Sequence, residues 1–99
     1  MSQTFKRGKI ETFYCSFLTL ENKEPGTIVN PIITIRHVDD AFNLVTDINE
    51  AALTLLAENT YFFRWNIPID AFLGTYNVEC EAVVDGEASE KNETILVTV

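Results

Sequence analysis

The side chains that could do chemistry in this chain are few and form no catalytic pattern. There is one histidine, His37, and Asp39 and Asp40 follow it closely, which could begin a metal site. Adjacent residues of a strand point to opposite faces, however, and paired aspartates are typical of a turn. No GxSxG, P-loop or GxGxxG motif is present, and a serine triad would need the same histidine. We therefore predict no catalytic residue, no metal site and no cofactor, and hence a protein that is not an enzyme.

Two cysteines, Cys15 and Cys80, are a second place where chemistry could occur. They are too few for a disulfide scaffold, and their spacing matches no zinc-binding pattern. A free cysteine is commonly a small buried hydrophobic residue. The sequence favours two buried thiols over a disulfide, and favours a reactive thiol least.

A pair of carboxylates, Glu79 and Glu81, shares one face of a predicted strand, as a general acid and base could. Arg64 and Asn66 are expected on the outer face of a neighbouring strand. We therefore predict cross-strand ion pairing instead of catalysis, with each pair worth about 0.2–1 kcal/mol.

Composition limits the classes of partner. The chain has 99 residues, the size of one domain, and a formal net charge of −8, which argues against nucleic-acid binding. No segment approaches the roughly 20 apolar residues that span a bilayer, and no apolar signal segment follows the first residues. The sequence thus predicts a soluble, non-secreted protein without nucleic-acid or membrane partners.

Positive charge is concentrated near the N-terminus. Lys6, Arg7 and Lys9 are three of only seven basic residues, against fifteen acidic ones. We predict a basic N-terminal arm over residues 1–8, followed by a single domain over 9–99. The arm is either a frayed, solvated terminus or a contact for an acidic neighbour, including another copy of the chain.

Alternation of apolar and polar residues predicts strands throughout, the first from Lys9 to Leu20. The clearest is "TYFFRWNI", in which Tyr61, Phe63 and Trp65 share one face. Phe42 begins another predicted strand, "FNLVTDI". Residues 50–58 fit either a strand or a short helix, and we favour the strand.

Turn residues separate these strands. Pro-Gly at 25–26 predicts a loop and Asp-Gly at 85–86 a hairpin, and Gly74 is expected to have positive φ. Seven to eight short antiparallel strands are best buried as an immunoglobulin-like β-sandwich with Trp65 in its core. Tyr76 lies where a tyrosine corner would, although it is four residues before Cys80, not two as in antibody domains.

The surface is where function is expected. Phe62 lies on the charged face of its strand, and Ile32, Val38, Val83 and Leu96 also fall on the less apolar faces of theirs. If exposed together, these residues form one patch for a partner; otherwise a loop or the arm covers them. An open sheet edge could also pair with another chain. The candidate partner contacts are Lys6, Arg7, Lys9, Phe62, Arg64 and Phe72.

The order of the motifs resembles that of small immunoglobulin-like structural proteins of tailed bacteriophages. The motifs are "RGKIETFYCSF", then "NPIITIRHV", then "TYFFRWNIP" leading through "AFLGTYNVECEAVVDGEASEKNETILVTV". In that family a Gly-led first strand precedes a "P-x-x-x-I-x-I" strand, and "P…G-T-Y" leads into the last hairpin. The chain departs from many such domains in having "VDDAFN" where they have an Asp-Gly turn.

The resemblance implies a non-enzymatic virion component, in the tail, baseplate, neck or head decoration, that docks on other virion proteins or on copies of itself. The alternative is an immunoglobulin-like module that binds a polysaccharide or protein of the host surface. For that role, Phe42 and Phe72 are the aromatic residues expected outside the inward rows. A bacterial cell-surface domain is a third hypothesis.

Overall fold

The computed structural model describes residues 3–17, 28–57 and 59–99, which form eight strands and no helix. The predicted end of the first strand at Leu20 and the Pro-Gly loop at 25–26 lie outside these residues. The strands are β1 (Gln3–Lys6), β2 (Ile10–Ser16), β3 (Ile28–Val38), β4 (Leu44–Ala52), β5 (Thr54–Ala57), β6 (Thr60–Asn66), β7 (Gly74–Val84) and β8 (Glu87–Thr98).

The strands form two sheets that pack face to face, which confirms the predicted β-sandwich. One sheet has five strands in the order β1-β8-β7-β3-β4, and the other has three in the order β2-β6-β5. All neighbours are antiparallel except β1 and β8, which are parallel, with Gln3 opposite Ile95 and Lys6 opposite Thr98. The segment predicted as a basic arm is therefore, over Gln3–Lys6, an edge strand of the large sheet.

Two turns show how the local sequence sets the strand ends. Asp85 and Gly86 have φ of 51° and 81° and join Val84 directly to Glu87, which confirms the predicted hairpin. Between β3 and β4, Asp39 Oδ1 accepts hydrogen bonds from the amides of Ala41 and Asn43, both at 2.9 Å. Phe42 lies in this turn with φ of 63°, so the predicted start of a strand at Phe42 is wrong.

The ambiguous segment at 50–58 is strand over residues 50–52 and 54–57, so the favoured strand is confirmed there. β4 belongs to the large sheet and β5 to the small sheet, and Leu53 lies between them. Leu53 is buried, and its amide donates to the carbonyl of Pro31 at 2.9 Å. This residue marks the point where the chain crosses from one sheet to the other.

The core lies between the sheets, where the inward rows of both meet. The ring of Trp65, from β6, contacts that of Tyr76, from β7, edge to face at a centroid distance of 5.3 Å. The burial of Trp65 confirms its predicted place in the core. The most completely buried side chains are Phe17, Ile33, Ile35, Ile67, Tyr76, Val78, Cys80, Ile95 and Val97.

Candidate interaction surface

The three N-terminal basic residues lie on and beside the turn between β1 and β2. The turn depends on Gly8, whose φ of 76° favours glycine and whose amide donates to the carbonyl of Ile67 at 2.8 Å. Lys6 and Lys9 are exposed, and Arg7 is half-buried, with its amide donating to Thr98 at 2.9 Å. The backbone thus holds the three cations at one end of the sandwich, where the chain passes between sheets.

Phe62 and Arg64 lie together on the outer face of the three-stranded sheet. The guanidinium carbon of Arg64 is 5.8 Å from the centroid of the Phe62 ring, which is cation–π geometry. In the register of β2 and β6, Tyr14 is opposite Phe62 and Thr12 is opposite Arg64. We call the residues Ile10, Thr12, Tyr14, Phe62 and Arg64 the small-sheet face.

The small-sheet face is apolar at its centre and positively charged at one end. Ile10 is 66% exposed and Tyr14 53% exposed, and Phe62 is half-buried between its neighbours. Lys9 directly precedes Ile10, so the basic turn continues the face. Exposed Leu55 and Leu56 border it on the edge strand β5.

Sequence reasoning missed Tyr14 as a contact residue, although the signal was present. Tyr14 alternates with Phe13 and Cys15, which are both buried, so its ring had to point outward. The predicted single patch is wrong in its other members. Ile32, Val38, Val83 and Leu96 belong to strands of the large sheet, whereas Phe62 belongs to the small one.

Phe72 packs against the core end of the large sheet. Its ring is half-buried and stacks on His37 at a centroid distance of 4.7 Å, and its carbonyl accepts a 2.7 Å hydrogen bond from the Tyr76 hydroxyl. Burial, with a smaller effect of the Asp47 carboxylate, raises the pKa of Tyr76 to about 12. Of the six candidate contacts, Phe62 and Arg64 thus lie on the small-sheet face, and Lys9 directly precedes it. Lys6 and Arg7 lie beside β8 of the large sheet, and Phe72 lies elsewhere.

His37 and the aspartates after it make separate contacts. His37 is buried, and its Nδ1 lies 2.6 Å from Oδ2 of Asp47 on the neighbouring strand. Asp39 instead caps its turn, where the amides of Asn43 and Ala41 hold the pKa of that carboxyl below its usual value. Through these contacts His37 and Asp39 both stabilise the β3–β4 hairpin.

The outer face of the large sheet is acidic. Carboxylate oxygens of Glu79, Glu81 and Glu90 lie within 4.8 Å of one another, and the hydrogen bond that the protonated Glu81 carboxyl donates to Glu79 is the main reason that the pKa of Glu81 is raised. Arg36 contacts Glu79 at 3.3 Å. The predicted pairing of these glutamates with Arg64 is wrong, because Arg64 belongs to the other sheet.

The two thiols are free and buried, as predicted, and they meet across the core. Cys15 lies on β2 and Cys80 on β7, so each sheet contributes one. Their mutual hydrogen bond lowers the pKa of Cys15 and raises that of Cys80; burial acts upward on both, and Lys91 acts downward on both.

Comparisons with protein families, with characterised proteins and with solved structures found no match for this chain. In the parts of the chain that the structure describes, no helix is long and apolar enough to cross a membrane.

Proposed function

We propose that this protein is a non-enzymatic docking module, a structural component of a tailed-phage virion that binds other virion proteins or copies of itself. The observation that carries the proposal is the small-sheet face, where exposed apolar residues and the cations of the adjacent turn lie on an otherwise acidic body. An apolar patch bordered by charge is the usual composition of a protein-binding surface.

Strand order supports the immunoglobulin-like part of the proposal. The strand order β8-β7-β3-β4 in the large sheet corresponds to strands G, F, C and C′ of a variable-type immunoglobulin domain. The order β2-β6-β5 in the small sheet corresponds to strands B, E and D. Tyr76 near the start of β7 donates to the backbone four residues upstream, as a tyrosine corner does. This architecture is the one that the resemblance to phage structural proteins implies.

Charge distribution favours an acidic partner surface, and a second copy of the chain offers one. The second half of β7, the hairpin after it and the first half of β8 carry several acidic side chains and one basic side chain, Lys91. Lys6, Arg7 and Lys9 lie at the opposite end of the same strands, because Lys6 is opposite Thr98. Head-to-tail contact would bring unlike charges together and steer association.

The test is the mass of the purified protein in solution, by light scattering at about 20 mM and about 500 mM salt, since screening weakens exposed ion pairs. We expect a salt-sensitive oligomer, and we expect the triple variant Lys6→Glu, Arg7→Glu, Lys9→Glu to be monomeric with an unchanged fold. Phe62→Ser should weaken association, whereas Leu96→Ser, on the outer face of the large sheet, should not.

Two results would count against this proposal. One is a wild-type protein that is monomeric at both salt concentrations and captures no virion protein through the small-sheet face. The other is association that persists in the triple variant.

A second candidate, a host-surface binding module, is favoured by Phe42 alone. Its side chain is 90% exposed at the tip of the β3–β4 turn, where a sugar ring could stack on it. In a glycan-binding assay this function predicts binding that Phe42→Ala abolishes and that Phe62→Ser leaves intact.

A further inference from the structure

In the part of the chain that the structure describes, one side of the sandwich is open between β2 and β8. The edge strand β1 covers β8 only from Ile95 to Thr98. Among the residues that the structure describes, no strand pairs with the earlier half of β8 on that side, and β2 is likewise the outer strand of its sheet. The two edges therefore leave a gap in the wall of the core.

This gap is a pocket of about 40 Å³, and both cysteines belong to its lining. Its walls come from β2 on one side and from Lys91 and Glu93 of β8 on the other. Cys15 is 6% exposed and Cys80 1% exposed, so the pocket is the path by which a small molecule reaches them.

We propose that Cys15 and Cys80 are a redox-responsive pair, which a small peroxide entering through this pocket converts to a disulfide that links the two sheets. Both thiols line the same pocket, one from each sheet, and they come from positions 15 and 80, so the bond would close a long loop. No other cysteine is present to compete for either sulfur.

The reaction has two steps. The Cys15 thiolate attacks one peroxide oxygen, so that an S–O bond forms and the O–O bond breaks; the departing hydroxide takes up the thiol proton as water. The Cys80 sulfur then attacks the Cys15 sulfur, forming the S–S bond and breaking the S–O bond; the second hydroxide leaves as water with the Cys80 proton. Two thiols lose two electrons, and one hydrogen peroxide becomes two waters.

Lys91 is the positioning residue for this chemistry. Lys91 belongs to the pocket lining, and after the larger effect of the hydrogen bond with Cys80 its positive charge favours the thiolate form of Cys15, which is the nucleophile. Glu93, on the same wall, acts in the opposite direction on both thiols. Lys91 and Glu93 therefore adjust the first step in opposite directions.

The test is treatment of the reduced, folded protein with a small excess of hydrogen peroxide, followed by alkylation in denaturant and intact-mass measurement. We expect a monomer about 2 Da lighter with no alkylated cysteine. Its Tm should rise by about 10 °C or more, because a disulfide that closes a long loop is worth a few kcal/mol, and a dithiol reductant should reverse the shift. A chain in which both cysteines still alkylate would overturn the proposal, and so would sulfinic acid or a disulfide-linked dimer as the main product.

Variants distinguish a redox-responsive cysteine pair from incidental oxidation of the two thiols. Cys80→Ser should accumulate a Cys15 sulfenic acid that dimedone traps, whereas Cys15→Ser should react much more slowly. Lys91→Gln should slow disulfide formation about two- to fivefold, since losing a favourable charge lowers the thiolate fraction. If a cysteine variant does not fold, the wild-type protein in urea is the second measurement. Equal or faster disulfide formation in the unfolded chain would refute preorganisation by the fold.

Discussion

The central strands of the two sheets are buried to very different degrees. In β7, alternate residues from Tyr76 to Val84 are all buried, and the residues between them are mostly polar. In β6, Trp65 alone is fully buried, and Tyr61, Phe62 and Phe63 are each half-buried, although β6 has the higher aromatic content. Aromatic content therefore does not identify the better-buried strand.

The difference follows from the neighbours of each strand. β7 lies between β3 and β8, which have 11 and 12 residues, whereas β6 lies between β2 and the four-residue β5. β2 pairs with β6 along its whole length, but β5 pairs only with residues 60–62, so among the described residues 63–66 have a strand neighbour on one side only. The large sheet supplies most of the core, and the small sheet adds Phe13, Cys15 and Trp65 to it.

The largest effect is expected at Trp65, the one fully buried residue of β6. Trp65→Ala should lower the free energy of unfolding by about 3–5 kcal/mol, because it leaves a cavity beside Tyr76. Phe63→Ala, two residues earlier on the same face but half-buried, should lower it by about half as much. Urea unfolding of both variants measures the ratio, and equal losses would mean that Trp65 has no special place in joining the sheets.

A middle-sized effect is expected at the hydroxyl of Tyr76. Tyr76→Phe removes the hydrogen bond to the Phe72 carbonyl and should lower the free energy of unfolding by about 1–2 kcal/mol at neutral pH. Burial raises the pKa of Tyr76 to about 12, above the unfolded value near 10, so the folded state favours the neutral phenol. This contribution is present below about pH 10 and is lost as the pH rises through about 12.

The loss of stability at alkaline pH distinguishes Tyr76 from other tyrosines. Chemical unfolding measured from pH 9 to about 12 should show a shallower loss of stability in Tyr76→Phe than in the wild-type protein. Tyr14→Phe is the matched control, since its ring is on the small-sheet face, and it should keep the wild-type slope. A Tyr76→Phe slope as steep as that of the wild type would contradict the burial of this hydroxyl.

The features that could be predicted from the sequence are those set by local pattern. Period-two alternation was sufficient to place Trp65 inward, to favour a strand over most of 50–58, and to bury both thiols. Asp85 and Gly86 specify their hairpin because their backbone conformation is local. The two-sheet architecture follows from the same alternation, since half-apolar strands must cover one another.

The features that could not be predicted depend on which strands become neighbours. Glu79 and Arg64 have suitable outward positions, but they belong to different sheets, and Arg36 on β3 takes the place beside Glu79. The parallel pairing of Gln3–Lys6 with β8 joins the two ends of the chain, and no local signal encodes it. Phe72 looks exposed in a loop until the fold brings His37 beneath its ring.

The smallest effect is expected on the outer face of the large sheet, where Glu79, Glu81 and Glu90 crowd together. Glu81→Gln removes one charge from this cluster and should raise Tm slightly, by about 1 °C, at pH 7 and low salt. The pKa of Glu81 is raised in the folded state, so its stabilising contribution is present below about pH 4.5 and is lost as the pH rises through the folded value. The Tm difference between variant and wild type should therefore grow from about pH 4 to pH 7 and shrink in high salt.

Glu87→Gln, exposed at the start of β8, is the matched control and should change Tm less. If both substitutions act equally, the gain reflects overall net charge and not the cluster, and the acidic face of the large sheet would be no more strained than its surroundings.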